Sequence, residues 1–441
     1  MGQNEMTGAH ADGGTAVIGA ATEFEPDVLD LLVEALRRAV RRELPAVGTD
    51  TLLGEIVLGD TDAGEAIAPG MRKAGSLGGL IAGRAGLGWV SDDEVHGVPV
   101  AAGDGVGVGV GEGARQEADE EEVDAAWREA RWRYGLGVRA SAPESGRTLP
   151  GMTGAMHACL LLALRSARAE GSISVRCRHV ARALLELPDS RAREAMVLQR
   201  LDLSAAANAL DTLDASDTSA STRTEGPESR GVTLLRRAGT LGKSGNRLTR
   251  ALTSWTSGGS VNGSPVLFAV SVEAMRQAVR SGRAAVEPVD LLLGILSLDR
   301  ALFVAGRSLP GSLAKANSAA ALMRRHGVRQ SSLVSSASEV ASASKAASGS
   351  VVTSASAMPP AGISDSGMVR PSAAADRVMA VARLSAAEHG SPTVGTVHLL
   401  SALLGTSATD TDADAMVVRL LEADQVDVAA LRAELGLGLG A

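Results

Sequence analysis

Residues Pro392–Leu404 read PTVGTVHLLSALL, and this stretch decides the fold. Leu399, Leu400, Leu403 and Leu404 form one apolar stripe of a helix that begins around Thr393–Thr396, and Gly405 stands where such a helix stops. Upstream, Val378, Val381, Ala382 and Ser385 keep i, i+3, i+4, i+7 spacing until Gly390–Pro392 break the run. Downstream, Met416, Val417, Leu420 and Leu421 predict a third helix. Asp427 offers a capping carboxylate to a fourth, which would bury Val428, Leu431 and Leu435. Four short helices in about 65 residues make a small helical unit.

The pattern recurs. Residues 175–185 (VRCRHVARALL) align with 394–404 (VGTVHLLSALL), between an Ala-Glu-Gly break at Ala169–Gly171 and a third run, Ala195–Leu198. A weaker copy spans Val272–Leu298, with Ser281 and Gly282 as its break, 286–296 (VEPVDLLLGIL) as its second helix, and Pro288 at a position tolerated in a first turn. A fourth match, first in chain order, covers Val28–Leu58 around 47–57 (VGTDTLLGEIV). A repeated helical unit predicts an all-α chain whose copies bury their apolar faces on one another.

Composition divides the copies into two pairs. Glycines alternate through Gly103–Gly113, an acidic run covers Glu117–Asp124, and the expectation is a loop until a helix at Ala125–Trp132. Asp211–Arg230 reads as a linker, and Ser331–Ser366 as Ser/Ala-rich chain without a packed fold. The expected plan is a disordered N-terminus over 1–25 and a first domain over 26–210, with repeats 26–72 and 151–210 around an insert at 74–149. A linker over 211–260 then leads to a second domain over 261–440, with repeats 265–328 and 367–436 around an insert at 329–366.

An Ala-rich helix, a Gly break and then Val-Gly-Thr-x-His-Leu-Leu-x-x-Leu-Leu resembles the N-terminal repeat of Clp-family ATPases. The resemblance covers about half of the chain and is best in the C-terminal copy, around Pro392–Leu404. It implies two repeats per pseudo-symmetric domain, two such domains in tandem, and a non-catalytic module that binds polypeptides: a Clp-type chaperone, an adaptor or a client. In that family the acidic residue between Thr and His faces solvent and helps to recognise phosphoarginine. Here the position holds Asp50, Arg178, Val289 and Val397, so only Asp50 is a candidate for that role. From the residues themselves, Thr at the start of the motif is expected to cap the second helix, and the paired leucines to fill the core.

Composition narrows the partners. Hydrophobic residues are 45% of the 441, yet aromatics are 2%, too few for base-stacking platforms. A formal net charge of -8 disfavours phosphate backbones and anionic lipid. No signal-like or membrane-spanning run is read, and two cysteines form no disulfide framework, so a reducing cytoplasm is the expected setting. Neither nucleic acid, membrane nor cofactor is expected.

Chemistry-bearing motifs are few. Gly239–Ser244 (GTLGKS) lacks the first glycine of a phosphate-binding loop, since Arg237 stands there. His157, Cys159, Cys177 and His179 imitate a metal set, but residues two apart on a helix diverge by about 200°; the expected roles are structural, with His179 in the core or in a cap. Asp119–Glu122 reads as a solvated face. Trp127 and Trp132 among Arg128, Arg131 and Arg133 suit either a partner hot spot or anchoring of the insert. Asp50, Trp127 and Trp132 are therefore the candidate partner-binding residues, with no catalytic or metal-ligating residue assigned. The alternative reading is a regulatory protein that takes a hydrophobic, peptide-like small molecule.

Overall fold

The computed structural model describes residues 20–59, 61–70, 76–90, 110–138, 149–219, 226–241, 264–337, 369–405 and 412–440. Of these, 73% are helical and 4% extended, so the expected helical class holds. Two compact units divide the chain, one of Thr22–Arg223 and one taking in Thr224–Ala441. Among the described residues no helix is long and apolar enough to cross a membrane.

The first unit runs β1 (Glu23–Phe24), α1 (Pro26–Arg41), β2 (Ala46–Val47), α2 (Thr49–Leu58), α3 (Asp62–Ile67), α4 (Ser76–Leu87) and α5 (Val110–Val138). It continues with β3 (Gly151–Met152), α6 (Gly154–Ala169), β4 (Ser174–Val175), α7 (Cys177–Glu186), α8 (Arg191–Leu198) and α9 (Leu203–Ser219). The strands pair reciprocally. β1, before the first helix of one repeat, lies parallel to β4, after the first helix of the other, with Phe24 opposite Val175. β3 pairs likewise with β2, Met152 opposite Val47. Each repeat thus lends the other a strand, the exchange that a two-fold arrangement of similar halves produces.

The second unit comprises α10 (Arg230–Arg237), α11 (Pro265–Arg280), β5 (Ala285–Val286), α12 (Pro288–Val304), α13 (Gly311–Ala314), a 3-10 turn (Lys315–Asn317) and α14 (Ala319–Arg325). A helical stretch at 330–337 follows. Then come β6 (Arg370–Pro371), α15 (Ala373–Glu388), α16 (Thr396–Gly405), α17 (Asp412–Ala423) and α18 (Val428–Gly440). β5 is parallel to β6, in the relation that β2 bears to β3.

The four copies keep one register. Their first helices α1, α6, α11 and α15 each have 16 residues. One residue beyond each cap the backbone turns left-handed, at Glu43, Gly171, Gly282 and Gly390. Four residues later stand Val47, Val175, Val286 and Val394, all buried. The starts obey ordinary capping chemistry: Ser264 Oγ accepts from Leu267 N, Pro265 and Pro288 occupy first turns, and Asp427 Oδ1 accepts from Ala430 N. Each unit has its own aliphatic core, centred on Leu32, Leu36, Leu160 and Leu184 in the first and on Leu292, Leu293, Leu399 and Leu400 in the second.

Several boundaries differ from the sequence reading. Residues 1–19 lie outside the described residues, but Glu23–Phe24, expected as disordered, form the buried strand β1. The insert expected as loop contains α4 and the 29-residue α5, whose helix begins at Val110 rather than Ala125. Glu, Arg and Ala are strong helix formers, and the cluster of small and charged residues outweighed the scattered glycines. The expected linker over 211–260 holds the end of α9 and all of α10, whose N-cap Ser229 donates to the buried carboxylate of Glu273 on α11 at 2.6 Å. The stretch 330–337 is helical and buries Leu333, whereas 338–368 of the Ser/Ala-rich insert lies outside the described residues. Val381, expected on the buried stripe of its helix, is exposed; Val378, Ala382 and Ala386 form that stripe.

Candidate partner-binding site

The Val-Gly-Thr-x-His motif builds the seam between paired repeats. Thr396 does not cap its own helix. Its Oγ1 accepts from Ala319 N, at the start of α14 in the other repeat, at 3.4 Å, while its own N–H donates to Asn317 Oδ1 at 3.0 Å. Thr49 does the same in the first unit, accepting from Ala192 N on α8 at 3.2 Å. The expected local cap is thus corrected: as the first residue of the helix, Thr lies beyond the N-cap and turns outward to satisfy an orphan N–H across the seam. Gly395 is needed for the same approach, because a Cβ there would stand 2.0 Å from the Ala316 carbonyl oxygen.

The motif's His closes the cap from within. His398 Nδ1 accepts from Gly395 N at 3.0 Å, and His179 Nδ1 from Arg176 N at 2.8 Å. Asp290 takes the same place in the third copy, with Oδ2 accepting from Glu287 N at 2.8 Å, and Arg283 reaches the same carboxylate. An Nδ1 that accepts an N–H carries no proton, so the proton of His179 sits on Nε2, which donates to Glu170 Oε2 at 3.0 Å. Burial lowers the pKa of His179 against the pull of Glu170, and burial with the charge of His389 lowers that of His398. Burial alone would raise Glu170, but hydrogen bonds from His179 and Arg178 outweigh it and lower that carboxylate.

The position between Thr and His is not a solvent-facing one here. Asp50 is 4% exposed, Val289 and Val397 are also buried and Arg178 is half-buried, so the acidic side chain that the resemblance puts on the surface is enclosed. Trp127 is buried in the core of the first unit and Trp132 is half-buried. Both lie on α5, which is anchored at one end by Arg165 and Arg168 on Asp119 and at the other by Arg133 on Asp30. The three candidates do not come together on an open surface. Asp119 itself is buried between two arginines, which corrects the reading of its run as a solvated face.

The His and Cys set is dispersed. Cys159 Sγ points to Val180 O at 3.9 Å, Cys177 Sγ to Asp27 Oδ2 at 3.4 Å, and His157 approaches Asp124 at 3.9 Å. Burial pushes both thiols well above the ordinary range, with Asp27 adding to the shift at Cys177, so neither is primed as thiolate. Among the described residues no three His, Cys, Asp or Glu side chains converge as a metal site would need. Gly239 follows a helix, α10, not the strand that precedes a phosphate-binding loop; 242–244 lie outside the described residues.

What sequence reasoning missed is the exposed apolar surface of the second unit. Two of the chain's three phenylalanines, Phe268 and Phe303, are exposed, as are Val381 and Leu384. The signal was present in Pro265–Met275 (PVLFAVSVEAM), a helix apolar on more than one face. Comparison of the chain with protein-family models, with curated proteins and with solved structures gives no match.

Proposed function

We propose that the chain is a non-catalytic polypeptide-binding protein, similar to the recognition domain of Clp-type ATPases and acting as adaptor, decoy or regulator in protein quality control. The observation that carries this reading is the reciprocal exchange of parallel strands between the paired repeats of the first unit, the two-fold arrangement that the resemblance implies. A stack of short helices joined by such a seam offers extended apolar faces rather than a pocket of reactive groups, which suits recognition of chain segments. Asp50, the one acidic residue at the family's phosphoarginine-recognising position, is enclosed, so the reading rests on apolar faces rather than on that residue. The test is capture by the whole immobilised chain of a purified Clp-type ATPase, and separately of its unfolded client, with and without ATP. Retention of either, indifferent to ATP, is expected. Failure to retain both, with stabilisation by a hydrophobic peptide-like compound alone, would replace this reading with small-ligand binding.

A further inference from the structure

We infer that α10 is a tethered ligand of the second unit: it occupies in cis a seat on α11 and the C-terminal end of α12, and that seat takes from another polypeptide a helix start of the same pattern. The pattern is Gly-x-x-Ser-x-Gly with apolar residues one and four positions further on, read here as Gly226, Ser229, Gly231, Val232 and Leu235. The inference rests on the polypeptide-binding reading and adds to it a class of sequence and a means of regulation. α10 packs along α11 and reaches α12, and each feature of the pattern meets a particular group there. Ser229 caps the helix by accepting from Val232 N at 3.2 Å, and its hydroxyl donates to Glu273 Oε1 at 2.6 Å. Gly231 N donates to the same oxygen at 3.3 Å. A Cβ on Gly231 would stand 2.7 Å from that oxygen, and one on Gly226 would run into the Val304 carbonyl. Val232 and Leu235 are wholly buried.

Glu273 is the group that reads the helix start. It is 1% exposed, and a carboxylate so enclosed must be filled with donors. Arg276 Nε supplies one to Oε2 at 2.9 Å, and the first N–H groups of a helix, which have no partner within it, supply what the other oxygen takes. On α1 the counterparts Glu34 and Arg37 pair in the same way, but Glu34 is half-buried and its position is not built to receive a helix start. The hold on α10 is specific yet small. Its buried residues are Gly231, Val232 and Leu235, and Glu228 binds Arg236 at the edge at 2.7 Å. Eight residues fall short of the roughly 12–15 that an isolated helix needs, so α10 owes its helix to the seat. A segment with so little apolar hold opens before the core does. An incoming helix start that repeats the same contacts then competes with it against the effective concentration set by the tether.

The probe is a fluorescent peptide of residues 226–241, titrated with the parent chain and with a whole chain carrying Gly231→Val and Leu235→Glu, which evict α10 and leave every residue of the seat in place. Because the parent's seat is filled, the evicted chain is expected to bind the peptide at least about tenfold more tightly. Ser229→Ala or Gly231→Val in the peptide should weaken that binding about tenfold. A measurement on the parent alone checks the opening: in native-state hydrogen exchange the amides of Thr233–Ala238 should be at least about tenfold less protected than those of Leu292–Leu296 on α12. An evicted chain that binds the peptide no better than the parent, or with no regard to Ser229 and Gly231 of the peptide, overturns the proposal. So does equal protection of α10 and α12, or an evicted chain whose cooperative melt is lost, since either makes α10 part of the core. A parent chain that captures unfolded clients although these tests fail loses this seat but keeps the polypeptide-binding reading.

Discussion

Gly395 and the two motif histidines set the tolerance of the seam. Ala at 395 would drive a methyl into the Ala316 carbonyl, and that backbone is held by the Asn317 and Thr396 contacts. Gly395→Ala should therefore cost about 1–3 kcal/mol, the range of overpacking, seen as a lower urea midpoint with an unchanged slope. The histidines make stability depend on pH with a definite sign. Their folded pKa values lie below the ordinary value of about 6.5, so the unfolded chain binds more protons as acid is added. The stabilisation is whole above that value and is lost as pH falls from it toward the folded pKa values, because a protonated Nδ1 can no longer accept the cap N–H. Urea midpoints measured from pH 7.5 to 5 should fall for the parent and fall less for His179→Gln with His398→Gln. The groups facing His179 are Glu170, Arg178 and Arg176, and His398 faces His389.

Among elements, α5 separates what pattern reading can reach from what it cannot. Its central stretch was expected to be helical from Ala125–Trp132, and anchoring of the insert was one of two roles weighed for the tryptophans. Its length was hidden because glycines and a charge run imitate a loop, whereas here Asp119 is fixed by Arg165 and Arg168, partners 46 and 49 residues away. Charge patterns reveal such pairs only once the fold brings them together. Trp127→Ala should cost about 3–5 kcal/mol, the usual range for truncating a buried Trp, and lower the thermal midpoint of the whole chain. Trp132→Ala, at a half-buried position, should cost less; equal effects would mean that the helix is docked differently.

For the whole molecule, the repeat was legible because a motif that builds a seam is constrained at each of its positions: Val for the strand, Gly for close approach, Thr and His for two caps. Even the third copy, with Glu-Pro-Val-Asp in place of Gly-Thr-Val-His, keeps the cap by substituting the carboxylate of Asp290 for an imidazole. The exchange of strands was not legible, since two-residue strands carry no alternation to read. Nor was the seam role of Thr, which depends on a helix more than 70 residues away in sequence, as with Ala319 and Thr396, separated by 77 residues. Of the partner-binding candidates chosen for their chemistry, Asp50 and Trp127 proved to be interior, whereas the exposed Val381 and Leu384 lie on a helix read only as core. The functional reading comes to one measurement: anisotropy of a labelled, reduced and carboxymethylated polypeptide titrated with the whole chain, with and without ATP. Saturable binding that ATP neither strengthens nor weakens is the predicted result; absence of binding at any attainable concentration, or turnover of ATP by the chain, would contradict it.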